Sequence, residues 1–133
     1  GVITRRAVMD RMSKEQLSGL PTFSEQISQK VVLQANHFEL TVEPSMLEKS
    51  GILSNGVLTE VLTTVTRQLM MNSGKNLIIE QLLVYYLQAV QVDDTLRIET
   101  RIVRQTRRSA IIDFDLYLNL QLVTKATVTL KIN

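Results

Sequence analysis

Three successive segments in the second half of the chain alternate apolar and polar residues almost without a break. They span residues 96–102, 112–118 and 122–132. A period of two residues predicts β-strands with one buried face and one solvated face. The joints Arg107-Arg108-Ser109 and Asn119-Leu120-Gln121 are too short to hold a helix. Neighbouring strands are therefore predicted to form antiparallel hairpins, and any fold of this chain has to include that sheet.

Two segments nearer the N-terminus extend the predicted sheet. Residues 77–87 are almost continuously apolar, which is expected of a strand that is covered on both faces or paired in an interface. Residues 37–42 alternate and predict the first strand. Within 22–35, apolar residues recur four apart, which indicates a short helix or an irregular lead-in; they are Phe23, Ile27 and Val31.

A single long amphipathic helix is predicted between the first strand and the apolar segment. At 100° per residue its apolar side chains fall within an arc of about 120°; they are Leu58, Val61, Leu62, Val65 and Leu69. Ser54 or Asn55 is the predicted N-cap, and Asn72-Ser73-Gly74 the predicted C-terminal stop. The helix stripe and the apolar face of the sheet are both buried if they pack together, so the predicted fold class is α+β. A ferredoxin-like fold would need a second helix between the later strands, and the joints leave no room for one.

Composition limits the chemistry that this chain can perform. The 133 residues include no Cys and one His, which excludes disulfides, thiolate nucleophiles and His-rich metal sites, so we expect no metal. No apolar run approaches about 18 residues, so we expect a cytoplasmic protein without a membrane partner. The net charge of +2 does not indicate nucleic acid, and Asp113 and Asp115 follow the short basic stripe. His37 is interpreted as a surface residue without a partner.

Three stretches carry a resemblance to a known fold. The stretch Gly51–Leu58 (GILSNGVL) resembles the glycine-bearing loop that opens the central helix of the hotdog fold, and Tyr86–Val90, followed by Asp94 and Leu96, resembles its strand and turn. The segment from Arg104 to Ala110 resembles its basic hairpin. Residues 36–133 thus resemble acyl-CoA thioesterases and related acyl-thioester-binding proteins, in which a curved antiparallel sheet of five or more strands wraps one long helix. The resemblance implies a CoA thioester ligand, no other cofactor, and a homodimer or dimer of dimers.

The first residues carry a second resemblance. The stretch Gly1–Met9 (GVITRRAVM) is similar to the last strand and helix of a CBS domain, although Ala7 stands where nucleotide-binding members carry an acidic residue. A CBS domain upstream of a hotdog domain resembles bacterial proteins that join a DRTGG domain, a CBS pair and a hotdog domain. The implied division is 1–20 as the end of a CBS domain with a linker helix and 21–133 as the hotdog domain of a regulatory protein.

The hotdog resemblance implies a site at the start of the long helix. Asn55, Gly56 and Val57 are the implied ligand-binding residues, since glycine permits close approach and the N–H groups of a helix N-terminus stabilise a carbonyl or anionic oxygen. The family's His-Gly-Gly motif is missing, and Thr63 stands where its helix acid would lie. Glu60 is the only carboxylate in the helix. Glu60 and Thr63 are therefore the catalytic candidates; the alternative is a solvated Glu60 that stabilises the helix dipole and a structural Thr63.

The basic hairpin supplies the other candidate residues. By family analogy Arg104, Arg107 and Arg108 would hold a phosphate of CoA, because guanidinium groups match phosphate oxygens. The alternative is a solvated strand face on which Arg97, Glu99 and Arg101 form cross-strand ion pairs. Three functions remain open: a regulatory domain that senses an acyl-CoA without efficient hydrolysis, an acyl-CoA thioesterase, and a ligand-free dimerisation module.

Overall fold

The computed structural model describes residues 20–71 and 76–133, which form one antiparallel sheet, two helices and a short 3-10 turn. The elements in chain order are α1 (Phe23–Ser28), β1 (Val31–Leu33), β2 (Phe38–Thr41), the 3-10 turn (Pro44–Met46), α2 (Asn55–Leu69), β3 (Leu77–Tyr86), β4 (Thr95–Gln105), β5 (Ser109–Leu118) and β6 (Gln121–Ile132). The six strands lie in the order β1-β2-β4-β5-β6-β3. The predicted α+β architecture, an antiparallel sheet with one long helix, is confirmed. Residues 1–19 lie outside the described part of the chain. They include the CBS-like stretch and almost all of the predicted N-terminal segment 1–20.

Helix α2 begins where the sequence predicts. Ser54 is its N-cap, and the Ser54 hydroxyl accepts the backbone N–H of Val57 at 3.3 Å. The helix ends at Leu69 with Met70 as C-cap, while the predicted stop at Asn72-Ser73-Gly74 lies outside the described residues. The buried side chains of α2 are Val57, Leu58, Val61, Leu62, Val65 and Thr66. The predicted apolar stripe therefore faces the core, apart from Leu69, which is only half-buried.

The inner face of the sheet supplies the other half of the core. In β5 and β6 the predicted alternation holds over most of each strand: Ile112, Phe114 and Leu116 are fully buried, and so are Val128 and Leu130. It fails at the start of β6, where Leu122 is only half-buried and Val123 is fully buried, beside a register shift between Leu116 and Tyr117. In β4 the prediction fails at its far end, where Ile102 is 42% exposed. A register shift between Ile102 and Arg104 places an extra residue in β4, and such a bulge bends the strand away from regular pairing.

The lead-in segment divides into a helix and a strand. Thr22 caps α1 by accepting the N–H of Glu25 at 3.1 Å, and Ile27 anchors the helix in the core. The helical reading of 22–35 is wrong beyond Ser28, because Val31 starts a strand that pairs with Leu40 of β2. Antiparallel pairing with β2, the next strand along the chain, outweighs the helical spacing of Val31.

His37 also departs from its prediction. Its Nε2 lies 3.0 Å from Oε1 of Glu39 and its Nδ1 lies 3.1 Å from Oδ1 of Asn36. Only 15% of the His37 side chain is exposed. The sequence indicated no partner for His37, and the turn before β2 supplies two, Asn36 and Glu39, which cover most of the ring.

Strand β3 forms an edge of the sheet. Its only partner among the described residues is β6, from Leu77 opposite Ile132 to Tyr86 opposite Thr124. On its outer face Ile78, Leu83 and Tyr85 are 47%, 45% and 55% exposed. The expectation that this apolar segment is covered is therefore not met within one chain.

Candidate functional site

The N-terminus of α2 leaves two backbone donors available. The Ser54 hydroxyl occupies the N–H of Val57, and the Ser54 carbonyl accepts the N–H of Leu58 at 3.0 Å. No described residue accepts the N–H of Asn55 or of Gly56. The first N–H groups of a helix lie at the positive end of its dipole, so they stabilise a carbonyl or anionic oxygen.

The surface above these donors is open at Gly56. A Cβ atom built on Gly56 meets no atom within 4 Å. Gly51, in the preceding loop, has a different role: its φ is +84°, and a Cβ there would lie 3.1 Å from Cβ of Ala89. The Gly51 carbonyl also accepts the N–H of Val90 at 2.7 Å. Gly51 therefore serves the packing of the loop, whereas the space beside Gly56 is open.

Tyr86 joins the end of β3 to the start of α2. Its hydroxyl donates to Oδ1 of Asn55 at 2.8 Å. Burial, reinforced by the nearby Glu48 carboxylate, raises the pKa of Tyr86 above its ordinary value. The phenol therefore stays a neutral donor and orients the Asn55 amide beside the free N–H groups. The sequence reasoning missed this contact, although a tyrosine hydroxyl in an apolar strand indicates the need for a polar partner.

Glu60 and Thr63 share a helix face with Gly56. The three residues are spaced i, i+4 and i+7, and Glu60 lies about 6 Å along the axis from Gly56. Both Glu60 and Thr63 are half-buried. The Ser24 hydroxyl of α1 donates to Oε2 of Glu60 at 2.7 Å. Glu60 is therefore an oriented carboxylate near the open helix end, a placement in which a carboxylate can accept a proton from water.

Val57 faces away from this open end. Its side chain is 2% exposed and belongs to the core, and its N–H is capped by Ser54. Of the three residues that the resemblance implies for ligand binding in this loop, Asn55 and Gly56 are the two with free donors and exposure to solvent.

The three candidate arginines lie at the other end of the sheet. Arg104 pairs with Ile111, and Arg107 and Arg108 form the turn that precedes Ser109, which pairs with Lys131. The register of β6 gives the separation from the helix N-terminus, since Tyr86 lies opposite Thr124 and Ser109 opposite Lys131. Seven residues of strand separate Thr124 from Lys131, a distance of about 23 Å. The structure therefore does not bring the arginines to the α2 site of the same chain.

A concavity of about 370 Å³ lies at that far end. It is lined by Arg107, Arg108, Lys131, Ile132 and Asn133. Arg104 does not line it. The sequence reasoning missed Lys131, which follows the hairpin by more than twenty residues and reaches it only through strand pairing.

Most charges on the outer face of the sheet are paired with one another. Arg101 bonds Asp113 at 3.0 Å, and Lys125 bonds Asp115 at 2.9 Å. Hydrogen bonds from Thr127 and Arg101 hold the pKa of Asp113 below its ordinary value, and the hydrogen bond to Asp115 raises the pKa of Lys125. The pairs include Arg97 with Glu99 at 2.9 Å. The solvated-face interpretation of Arg97, Glu99 and Arg101 is consistent with these contacts, with one correction: Arg97 and Glu99 pair within β4, and only Arg101 pairs across strands.

Within residues 20–71 and 76–133, no three His, Asp or Glu side chains are grouped as a metal ion would require. No helix in the same ranges has the length and apolar character needed to cross a bilayer.

Comparisons with known proteins agree with this architecture. The family described as the thioesterase superfamily matches residues 50–119. A curated relative, the uncharacterized protein YtoI of Bacillus subtilis, is 24% identical over 96 residues, which are 71% of this chain and 22% of the relative. The chain thus spans about a fifth of the length of that relative.

Two solved structures extend the comparison to three dimensions. A hypothetical thioesterase protein from Streptococcus pneumoniae, solved with coenzyme A, is 25% identical and has a TM-score of 0.65. The match covers 76% of this chain and 81% of the Streptococcus pneumoniae chain. The protein smu.793 from Streptococcus mutans, bound to acetyl-CoA, is 20% identical and has a TM-score of 0.71. This match covers 86% of the present chain and 94% of smu.793. The matched family region covers more than half of this chain and includes α2, β3, β4 and β5. The fold is the hotdog fold, and the chain belongs to the thioesterase superfamily.

Proposed function

We propose that this chain binds an acyl-CoA at the N-terminus of α2 and senses it without efficient hydrolysis. The observation that carries the proposal is the pair of free N–H groups at Asn55 and Gly56, with open space above Gly56. Such donors suit the carbonyl oxygen of a thioester. The presence of coenzyme A or acetyl-CoA in structurally similar proteins supports the ligand class. The absence of the His-Gly-Gly motif, with Thr63 where the helix acid would lie, favours sensing over turnover.

A thioesterase activity is the second candidate. The contact between Ser24 and Glu60 favours it, because an oriented carboxylate one turn beyond Gly56 can act as a base for water. The same hydrogen bond also supports a structural role, since it ties α1 to α2. Thr63 shares the face and is the candidate for holding that water.

The test is thermal melting of the purified chain with free CoA and acyl-CoAs of increasing length, with free thiol measured in the same samples. A ligand that binds only the folded state raises the melting temperature by mass action. We expect saturable stabilisation without thiol release. Thiol release that Glu60→Gln lowers by about 10²-fold or more would instead establish the thioesterase. No shift with any ligand would leave a dimerisation module.

We further propose that the domain is a homodimer paired through β3, with a dimer of dimers as the larger assembly. An edge strand of 10 residues with exposed Ile78, Leu83 and Tyr85 invites pairing with a second copy. Leu83→Lys is expected to shift the protein towards monomer, because the two-fold axis brings like charges together. Sedimentation velocity measures the effect. Val32→Lys on the short edge strand β1 is the control, and an unchanged dimer in Leu83→Lys would contradict pairing through β3.

The regulatory setting is also a proposal. The resemblance of residues 1–9 to a CBS domain suggests a longer parent with DRTGG and CBS domains, to which the ligand signal passes. The match to only 22% of YtoI supports a domain that also occurs within longer proteins. Ligand-dependent nucleotide binding by such a parent would test this setting.

A further inference from the structure

Helix α1 contacts the candidate site at one defined point. The Ser24 hydroxyl donates to Oε2 of Glu60 at 2.7 Å, and Glu60 lies one turn beyond the free N–H group of Gly56. The Ser28 hydroxyl, on the same short helix, donates instead to the carbonyl of Glu25 within α1 at 3.0 Å. Among the side-chain hydrogen bonds of the described residues, that of Ser24 is the one that joins α1 to α2.

The other end of α1 is joined to the loop that leads into α2. Lys30, two residues past α1, contacts Oε1 of Glu43 with its Nζ at 2.6 Å. Glu43 precedes the 3-10 turn, and the carbonyl of Met46 at the end of that turn accepts the N–H of Ser54 at 2.8 Å. Ser54 is the N-cap of α2. Helix α1 is thus connected to the free N–H groups from two sides, through Glu60 in the helix and through the loop before it.

Helix α1 is a short element with few anchors of its own. It spans six residues, and isolated helices shorter than about 12 residues are marginal in water. Ile27 is its buried side chain, whereas Phe23 at its start is 53% exposed. A short helix that one apolar side chain anchors opens at a lower free energy than the strands of the core. Small changes in its contacts therefore shift its population between a docked state, as in the structure, and an open state.

We propose that α1 is a regulatory element whose docking is coupled to ligand binding at the N-terminus of α2. The inference rests on the proposed acyl-CoA binding and adds the element that responds to it. With α1 docked, Glu60 and the loop that carries Ser54 are held in place. Less conformational freedom is then lost when a thioester carbonyl reaches the N–H groups of Asn55 and Gly56. By linkage, the ligand stabilises the docked state by the factor by which docking raises affinity.

The position of α1 in the chain gives this coupling an output. Residues 1–22 continue directly into α1, which begins at Phe23. Docking or opening of α1 therefore changes the point at which the preceding chain leaves the domain. The coupling also acts in reverse, because a partner that pulls α1 away from α2 lowers the affinity for the ligand by the same factor.

Hydrogen–deuterium exchange of the amides in residues 23–30 measures the docking of α1. The purified chain is compared with and without acetyl-CoA and octanoyl-CoA, and calorimetry on the same preparation measures binding. We expect exchange in 23–30 to slow by about threefold or more with bound ligand, and exchange in the core residues 110–116 of β5 to stay unchanged.

The outcomes of this experiment distinguish the inference from the proposed function. A bound thioester that leaves exchange in 23–30 unchanged, or makes it faster, overturns the coupling and leaves the proposed function standing. A wild type that binds neither thioester overturns the proposed function and this inference with it.

Ser24→Ala removes the hydroxyl that reaches Glu60, and Ser28→Ala is its matched control. Both variants replace a serine of α1 with alanine, so they differ in the contact with α2. We expect Ser24→Ala to exchange faster in 23–30 without ligand and to bind acetyl-CoA about threefold or more weakly. We expect Ser28→Ala to resemble the wild type in both measurements. Ser24→Thr, which keeps a hydroxyl, is expected to recover most of the affinity and of the protection.

Two results with these variants would contradict the inference. Faster exchange in Ser24→Ala together with wild-type affinity would mean that α1 opens without an effect on the ligand site, and would overturn the coupling. Equal losses of affinity in Ser24→Ala and Ser28→Ala would overturn the role of the contact between Ser24 and Glu60.

Discussion

Replacing Phe114 with alanine is expected to lower the free energy of unfolding by about 3–5 kcal/mol. Phe114 is fully buried on the inner face of β5, between Thr100 of β4 and Ala126 of β6. Removal of the ring loses its transfer free energy and leaves a cavity between α2 and the sheet, which the strands on either side cannot close. Urea unfolding followed by circular dichroism measures the loss.

The matched control is Tyr117→Ala. Tyr117 lies on the same strand but on the outer face, where it is only half-buried. We expect its loss to be no more than about half that of Phe114→Ala, because solvent already reaches the ring and no closed cavity forms. Equal losses in the two variants would contradict the assignment of the inner face as the main core.

Substitution of Gly56 by leucine is expected to weaken ligand binding strongly while the protein stays folded. The space above Gly56 is open, so the added side chain meets no protein atom near its Cβ. Because glycine is a poor helix former, leucine is expected to raise stability by up to about 1 kcal/mol. The same side chain covers the N–H groups of Asn55 and Gly56, so we expect acetyl-CoA affinity to fall by more than about tenfold. Melting temperature and calorimetry, measured on one preparation, give both quantities.

Gly51→Ala provides the opposite pattern. A φ of +84° and a Cβ contact of 3.1 Å with Ala89 mean that alanine is strained at this position. We expect a loss of stability of about 1 kcal/mol or more with acetyl-CoA affinity retained in the folded fraction. If Gly56→Leu retained full affinity, the ligand site would not be at the α2 N-terminus.

The parts of the fold that local patterns determine were predictable from the sequence. The alternation in β5 and β6 predicted their inner faces, and the stripe from Leu58 to Val65 predicted the buried face of α2. Strand β1 was not predictable in this way, because Val31 fits a helical spacing and becomes a strand residue only through Leu40. The bulge at Ile102 likewise depends on pairing with β5, which no period along one strand reveals.

The candidate site was predictable only in its local part. The N-cap Ser54 and the exposed Gly56 follow from the sequence at the helix start. The hydrogen bond from Tyr86 to Asn55 joins residues 31 apart, and that from Ser24 to Glu60 joins residues 36 apart. Both depend on tertiary packing, as does the position of Lys131 beside the arginine turn. Sequence periodicity carries no information about such distances.

The place of β3 in the sheet has a consequence for how the chain folds during synthesis. Strand β3 pairs with β6, and Leu77 lies opposite Ile132. Leu77 can therefore form this pair only after β4, β5 and β6 have been synthesised. Contacts between residues so far apart in sequence form slowly, because the intervening chain has to be ordered first. Until then the nascent chain exposes an apolar segment of high β-propensity. The yield of native protein should therefore depend on translation speed and on chaperones that hold such segments, more than on the stability of the finished domain.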